Sequence, residues 1–441
     1  MPLLPGAHGC RSKRRPLERA STTRHLARNN IARMNRAAAG ALSGGNGQRS
    51  HAVSDGSVLV VGAGFAGAVH ARVLAEHGHD VHVIDRRNHI GGNAYDEVTE
   101  TGVRLHRYGP HLFHTNNKKV VDWLSRFTDL DEYEHKVQAL LGDGTCVPLP
   151  VNRNTINSVF GISLQDEPAV RAFLASQAES RAEIHNAADH LIANIGHTLT
   201  DLFFRPYTRK MWQMELEALD AAVIQRIPIC YDDETRYFPR DRYQLLPRDG
   251  YTAAFRRILD HPRITVELET AFHHDRLDQH KYCFNSMPID EFFGFDEGAL
   301  PYRSIRFHHA DRPDSYARGH TPVINFTDSG PFTRETDWSR LPGHRVFETG
   351  RKTVTVEEPC DYLDNDLERY YPVKTSDGRY EALYRLYKAR GDRLPNVSFI
   401  GRCGTYQYLD MHQVINQSLL SAEAWLVQSQ TGIKTPRELV P

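Results

Sequence analysis

The sequence lacks any apolar run approaching the roughly 18–20 residues that a membrane-spanning helix requires, so no membrane span is predicted. It also lacks net charge, since 54 Lys and Arg face 55 Asp and Glu in a chain of 441 residues. The first 50 residues hold ten Lys or Arg and one acid, so the rest of the chain is mildly acidic. Composition therefore gives no reason to expect nucleic-acid binding.

Cysteine is scarce, and the sequence has no CxxC pair. The six cysteines are Cys10, Cys146, Cys230, Cys283, Cys360 and Cys403. This spread argues against a structural zinc site and against a disulfide framework. We therefore expect no metal, and we expect a reducing, cytoplasmic location.

The first 54 residues are rich in Arg and Ser and show no apolar periodicity. This composition is typical of a disordered basic tail, which we predict for residues 1–54. An Arg-rich, acid-poor leader also resembles an organellar transit peptide, and that alternative stays open.

A dinucleotide-binding motif follows this segment. VLVVGAGFAGAVHARVLAEHGHDVHVID runs from Val58 to Asp85 and reads as strand, glycine loop, helix, strand and acid. Glycines in such a loop let the backbone approach a pyrophosphate, and the amides of the helix N-terminus bind it. The acid at the end of the second strand binds ribose hydroxyls. The predicted contacts are Gly62, Gly64, Phe65, Ala66, Gly67 and Asp85.

The residues after this acid favour FAD over NAD. RRNHIGGNAYD, residues 86–96, brings a second glycine pair close to the cofactor. It resembles the flavoprotein superfamily that includes amine oxidases and desaturases. Arg86, Gly92 and Asn93 are added to the predicted FAD contacts. A strand and helix around Gly401 fit the same cofactor, because the helix N-terminus faces it.

The patterns along the chain predict an α/β fold with a discontinuous FAD-binding, Rossmann-like domain, an inserted helical bundle and an antiparallel β-sheet domain. Residues 55–127, 245–290 and 390–428 are assigned to the FAD-binding domain. Residues 152–226 form the helical domain with a mobile lid loop. Residues 128–151, 227–244 and 291–389 form the sheet domain.

Taken together, further motifs resemble the UDP-galactopyranose mutase family from Ser57 to about Trp425. They are RNHIGGNAY, YGPHLFHT (108–115), YTRKMW (207–212), RIP (226–228), NFTD (325–328), YYPV (370–373) and YQYLDMHQVI (406–415). The resemblance implies an isomerase of cell wall biosynthesis that interconverts UDP-galactopyranose and UDP-galactofuranose. It also implies a homodimer and non-redox catalysis, in which N5 of reduced FAD attacks the anomeric carbon.

The same resemblance implies roles for individual residues. Arg334 and Arg402 match diphosphate-binding arginines, and Arg226 matches an arginine on a mobile loop. Tyr207 and Trp212 match the uridine pocket. Other matches are tyrosines whose hydroxyls reach the diphosphate (Tyr237, Tyr371, Tyr408), residues beside the sugar or flavin (His111, Glu358, Asp410) and a further cofactor contact (Met411). Arg402 and Asp410 are also expected to touch the cofactor. A slip of one residue would move the acid from Glu358 to Glu357.

Three positions depart from the family pattern, and they leave the sugar open. Pro110 stands before His111, Pro206 before Tyr207, and Gln213 after Trp212. A related UDP-sugar, N-acetylated or deoxy, is therefore an alternative substrate. A flavin-dependent oxidoreductase of the amine-oxidase or desaturase type is the main alternative function, and a non-catalytic nucleotide-sugar binder is another.

Overall fold

The computed structural model describes residues 56–224 and 228–431. The predicted basic tail at 1–54 and Arg226 of the predicted lid loop lie outside these residues. Strands within the described residues are numbered in chain order: β1 (Val58–Val61), β2 (Val81–Ile84), β3 (Asp96–Val98), β4 (Arg104–His106), β5 (Phe113–Thr115), β6 (Leu130–Glu132), β7 (Val137–Leu140), β8 (Cys146–Leu149), β9 (Tyr243–Pro247), β10 (Ile264–Glu267), β11 (Tyr282–Asn285), β12 (Tyr302–Pro313), β13 (Val323–Phe326), β14 (Arg334–Asp337), β15 (Arg351–Asp361), β16 (Tyr371–Pro372) and β17 (Val397–Phe399).

Helices are numbered in the same way: α1 (Phe65–Glu76), α2 (Lys118–Leu124), α3 (Arg153–Phe160), α4 (Glu167–Gln177), α5 (Ala187–Leu199), α6 (Arg205–Trp212), α7 (Tyr251–Leu259), α8 (Ile289–Phe292), α9 (Arg379–Gly391), α10 (Gly401–Gly404) and α11 (Met411–Thr431). A π-helical turn, Thr200–Phe204, joins α5 to α6. No helix in the described ranges is long and apolar enough to cross a membrane.

A five-stranded parallel sheet has the strand order β10-β2-β1-β11-β17. Every residue of β1 is buried, as expected for a strand at the centre of a sheet that is covered on both faces. α1 packs against α11 and α7 over one face of this sheet. All five strands lie within the three segments predicted for the FAD-binding domain.

Helices α3 to α6 form a second apolar cluster, which packs against β7 and β8. Pro206 lies in the first turn of α6, directly after the π-helical turn. Gln213 ends α6 in the left-handed conformation, with φ of 52°. This conformation explains why glycine suits that position, because glycine adopts it without strain. Both departures from the family pattern therefore belong to the ends of this helix.

A seven-stranded sheet with the order β16-β12-β15-β14-β13-β7-β8 forms the third part. Its pairs are antiparallel except β13 with β7. Arg334 is paired with Glu357 on one side and with Asn325 on the other. Three polar side chains thus lie in one row across the sheet. The architecture is the predicted α/β fold with a helical insertion and an antiparallel-rich sheet.

Candidate functional site

The glycine loop after β1 is packed so closely that larger residues do not fit. A Cβ at Gly67 would lie 1.8 Å from the Gly62 carbonyl oxygen, and Gly62 itself has φ of 99°. A Cβ at Gly92 would lie 2.9 Å from the Gly64 Cα, so two backbone segments meet there. No side chain caps the N-terminus of α1, which begins at Phe65. Its first amides can therefore bind an anionic group.

Asp85 follows β2 and is held by the same loop. Its carboxylate oxygens accept hydrogen bonds from the Ala63 and Arg87 amides, at 2.8 and 2.9 Å. Arg87, which sequence reasoning missed, donates to Asn93 at 2.9 Å and to Glu368. Arg86 also binds Glu368, at 3.1 Å. The predicted cofactor residues of the first segment thus lie together at one edge of the parallel sheet.

A cavity of about 810 Å³ lies between the helical cluster, the seven-stranded sheet and the chain around α10. Ten residues predicted for catalysis, substrate or cofactor line it: His111, Tyr207, Trp212, Tyr237, Arg334, Tyr371, Arg402, Tyr408, Asp410 and Met411. Arg226 is outside the described residues. The structure therefore brings into one space side chains that are up to 300 positions apart.

Arg334 at the start of β14 is held on two sides. Its Nη2 donates to the Tyr207 hydroxyl at 2.9 Å, and its Nε lies 3.1 Å from Glu357 Oε2. Only 2% of the Glu357 side chain is exposed. Burial raises the pKa of this carboxyl, although the Arg334 guanidinium opposes the shift. The pair fixes a cation in the cavity wall.

The prediction that Glu358 reaches the sugar is wrong. Glu357 lines the cavity, whereas Glu358 binds His308 at 2.7 Å and lies 3.7 Å from Arg306. Successive residues of a strand point to opposite faces, so neighbours in β15 cannot both face the cavity. The geometry therefore favours the one-residue slip considered from the sequence, with Glu357 as the acid in the cavity wall.

This assignment predicts different results for two matched substitutions. Glu357→Gln should lower kcat about tenfold or more, because it removes the charge beside Arg334 in a buried site. Glu358→Gln should leave kcat within about twofold, since it changes an exposed strand face. Steady-state assays of both purified variants test this. Equal losses in the two variants would contradict the assignment.

Arg402 and two tyrosines form the opposite part of the cavity wall. Arg402 donates to the Tyr370 carbonyl at 3.0 Å and to the Leu409 carbonyl. Its guanidinium carbon lies 5.5 Å from the Tyr371 ring centre and 5.1 Å from that of Tyr408. These two rings are stacked with centres 5.0 Å apart. Arg402 makes no ion pair with any residue of the described ranges, so its charge is compensated only by carbonyl dipoles and ring faces.

His111 lies in the cavity wall next to Pro110. Its Nδ1 donates to the Gly109 carbonyl at 2.9 Å, which leaves Nε2 as an acceptor. Burial lowers the pKa of His111 to about 4, so the ring is neutral at pH 7. Of the three departures from the family pattern, Pro110 lines the cavity and Pro206 and Gln213 do not.

Three further cavity residues escaped the sequence interpretation. His114 binds Asp241 at 2.5 Å and stacks on Phe238 with ring centres 3.6 Å apart. Asn325 has a buried Oδ1 without a hydrogen-bond partner in the described structure. Lys374 lines the cavity and forms no hydrogen bond or ion pair with any described residue. The sequence could have indicated these three residues by their position, because each lies in or directly after one of the quoted motifs.

Against the expectation of no metal, His114, Asp410 and His412 form the one group of possible ligands in the described part of the chain. Their ligand atoms lie within 4.8 Å of one another. His114 is already bound to Asp241 through Nδ1, so only its Nε2 could reach a metal ion.

Comparison with known proteins places these features in context. Residues 202–408 match the family model described as UDP-galactopyranose mutase, and residues 60–127 match an NAD(P)-binding Rossmann-like domain. A probable UDP-galactopyranose mutase from Klebsiella pneumoniae is 33% identical over 394 residues, which cover 87% of this chain and 98% of the relative. A dTDP-fucopyranose mutase from Escherichia coli is 32% identical over 379 residues, or 84% of this chain and 98% of the relative.

Solved structures share the fold at low sequence identity. A reduced UDP-galactopyranose mutase superimposes with a TM-score of 0.66 at 18% identity, over 84% of this chain and 96% of that one. A putative protoporphyrinogen oxidase from Exiguobacterium superimposes with a TM-score of 0.60 at 12% identity, over 85% and 100% of the two chains. The same fold therefore occurs in proteins named as mutases and as oxidases.

Proposed function

The chain belongs to the UDP-galactopyranose mutase family, and we propose that it interconverts UDP-galactopyranose and UDP-galactofuranose without net oxidation, with reduced FAD bound. The observation that carries this proposal is the wall of the 810 Å³ cavity, which combines Arg334 and Arg402 with Tyr207, Tyr371 and Tyr408. Two cations and several phenol groups suit a sugar diphosphate better than the cationic substrate of an amine oxidase or the apolar substrate of a desaturase.

The residues of the parallel sheet fit FAD. Gly64 and Gly92 bring two backbone segments together without side chains between them, so a pyrophosphate can approach the backbone. The N-terminus of α1 has no side-chain cap, and its amides can bind this group. Asp85 retains acceptor capacity for ribose hydroxyls beyond its two backbone contacts. When bound, reduced FAD supplies N5 as the nucleophile for the anomeric carbon.

Arg334 and Arg402 are proposed to hold the diphosphate while its bond to the sugar is broken and re-formed. The two cations differ in their surroundings, and this difference suits a group that must leave and return. Glu357 partly neutralises Arg334, whereas Arg402 is anchored by two carbonyl groups and two ring faces. The site can therefore stabilise a departing diphosphate without binding it permanently.

The aromatic side chains of α6 are proposed to bind the uridine. Tyr207 is placed by its hydrogen bond to Arg334, so the base pocket and the diphosphate site are directly linked. Trp212 packs edge-on to Tyr371 with ring centres 6.4 Å apart. Ring faces in this wall offer stacking surfaces for a planar base. Tyr237 is proposed to reach the diphosphate, and the neutral His111 to present Nε2 near the flavin.

The remaining expectations belong to the same proposal. Arg226 is proposed to lie on a loop that closes over the bound substrate and limits attack by water. A homodimer and a cytoplasmic location are also proposed, and sedimentation equilibrium of the purified protein tests the first.

One assay tests the proposed reaction. The FAD-loaded protein is incubated with UDP-galactopyranose with and without dithionite, and the two sugar forms are separated by chromatography. We expect furanose only with the reduced enzyme. Absence of furanose would overturn the proposed substrate, and equal activity after oxidation would overturn the role of the reduced flavin. Formation of an oxidised sugar would favour the oxidoreductase alternative.

A second candidate substrate is dTDP-fucopyranose, whose sugar lacks the C6 hydroxyl. It is favoured by the E. coli relative, which is as similar to this chain as the UDP-galactopyranose mutases. The same assay with this substrate, at matched concentration, ranks the two by kcat/KM.

Lys374 is predicted to contribute to diphosphate binding. Lys374→Met should weaken UDP binding about 10- to 150-fold, because a charge-assisted contact contributes roughly 1.5–3 kcal/mol. Lys374→Arg should keep most of the affinity. Isothermal titration with UDP and with uridine makes the comparison, and Lys388→Met on the exposed face of α9 is the control. An equal loss for uridine would contradict a role at the diphosphate.

A further inference from the structure

A chain of three histidines runs from the cavity wall into the protein. The backbone N–H of His111 donates to His106 Nδ1 at 3.0 Å. His106 Nε2 lies 3.1 Å from His344 Nε2, and His344 Nδ1 lies 3.0 Å from the Pro342 carbonyl. Only 1% of His106 and 2% of His344 are exposed. The three residues link β4, the YGPHLFHT segment and the chain before β15.

The contacts fix which nitrogen carries each proton. Because His106 Nδ1 accepts from an amide, the proton of the neutral ring must be on Nε2. That proton is donated to His344 Nε2, so the proton of His344 is on Nδ1 and is donated to the Pro342 carbonyl. Each nitrogen therefore has one role, and an added proton on either ring would place two donors against each other.

Among the described residues around these three histidines, no carboxylate is available to balance a charged ring. His106 packs against Tyr251 and Trp338. The positive charge of Arg104 acts on His106 and His344, and that of Arg402 acts on His111. Asp96 pairs with His106 across β3 and β4, but its carboxylate accepts from the Tyr251 and Thr252 amides. The site thus favours neutral rings throughout.

We propose that His106, supported by His344, is the positioning residue for His111. By accepting the His111 N–H, it holds the turn in which His111 Nδ1 donates to the Gly109 carbonyl and Nε2 faces the cavity. The proposal rests on the proposed function for its effect on catalysis, whereas the positioning itself is a property of the protein without substrate or cofactor.

Two amide substitutions separate the contacts of His106. The oxygen of Asn lies near the place of Nδ1, so His106→Asn can still accept from the His111 N–H. The amide nitrogen of Gln lies near the place of Nε2, so His106→Gln keeps the contact to His344 and loses the one to His111. Both variants replace the ring by a neutral amide, so each serves as the stability control of the other.

Hydrogen exchange at the His111 amide of the cofactor-free protein measures the positioning directly. We expect the His111 amide to exchange at least tenfold faster in His106→Gln than in the wild type, and to stay protected in His106→Asn. Equal exchange in the two variants would overturn the proposal, whatever reaction the protein catalyses. If neither variant folds, His344→Gln, whose oxygen can accept from His106, should keep protection and His344→Leu should reduce it.

Kinetics and the flavin spectrum of the FAD-loaded enzyme test the effect of this positioning on catalysis. We expect His106→Gln to lower kcat about tenfold with KM unchanged and to shift the visible spectrum of the flavin, and His106→Asn to stay within about twofold. A raised KM with unchanged kcat and spectrum would overturn a role at the flavin. Should the wild type lack mutase activity while the exchange results hold, the proposed function fails and the positioning stands.

Discussion

Arg334→Ala should lower kcat about 10²- to 10³-fold, the usual effect of removing one group that stabilises charge in a transition state. Arg334 is fixed by Tyr207 and Glu357, so its charge needs no reorganisation when the diphosphate departs. FAD binding should persist, because β14 does not belong to the glycine loops. Steady-state kinetics and the flavin content of the purified variant measure both effects.

The same substitution should also destabilise the protein. Glu357 would remain buried without a partner, and breaking a buried ion pair costs about 3–5 kcal/mol. The double variant Arg334→Ala/Glu357→Gln removes this charge and should recover stability without recovering kcat. Arg340→Ala, which breaks an ion pair with Asp337 elsewhere in the sheet, is the control. Recovery of kcat in the double variant would contradict a catalytic role for Arg334.

Lowering the pH from 7.5 to 5.5 should destabilise the cofactor-free protein by an amount on the order of 5 kcal/mol. Four histidines that are at least 96% buried account for most of this effect: His70, His106, His135 and His344. Burial lowers the pKa of His70 and His344 to about 4 and that of His135 to about 3, and it lowers the pKa of His106 well below 6.5. These rings stay neutral in the folded state.

The direction follows from the protons bound by each state. Below pH 6.5 the unfolded chain protonates these histidines and the folded protein does not, so stability falls as pH falls. Each contributes roughly 1.4 kcal/mol at pH 5.5. Burial raises the pKa of Asp96 and Glu357, and these two groups act in the opposite direction. Urea unfolding at pH 7.5, 6.5 and 5.5 measures the slope.

Substitution of one buried histidine, compared with substitution of an exposed one, tests whether the buried histidines cause the pH dependence. His70→Gln should reduce the pH dependence by about one quarter, whereas His185→Gln, at a largely exposed position, should leave it unchanged. Stability that does not change between pH 7.5 and 5.5 would show that the buried rings accept protons in the folded state.

The dinucleotide loop could be predicted from the sequence because its determinants are local. Gly62 adopts a φ of 99°, and Gly67 packs against the Gly62 carbonyl, so the motif itself states these two requirements. Glu357 could not be separated from Glu358, because strand register decides which of two adjacent acids faces the cavity. A resemblance of motifs places a residue near the site, and the alternation of side chains along β15 decides which face of the sheet the residue occupies.

Contacts between distant segments were beyond the reach of sequence reasoning for a different reason. His106 and His344 are 238 positions apart, and Arg87 meets Glu368 across 281 positions. Nothing in either local sequence indicates its partner, because the pairing depends on how two sheets are packed. Lys374 was missed since an isolated lysine after YYPV is most often a solvated surface residue.

The strand order of the parallel sheet has a consequence for synthesis of the chain. Val58 of β1 pairs with Tyr282 of β11, and Cys283 of β11 pairs with Val397 of β17. At roughly 5–20 residues per second, β1 leaves the ribosome roughly 10–45 s before the strand that covers its edge. During that interval an apolar edge is exposed to other nascent chains. The cofactor site is completed only when β17, the last strand of the sheet, has been made, so bound cofactor cannot protect β1 during this interval. We therefore expect the chain to be most prone to aggregation during its translation.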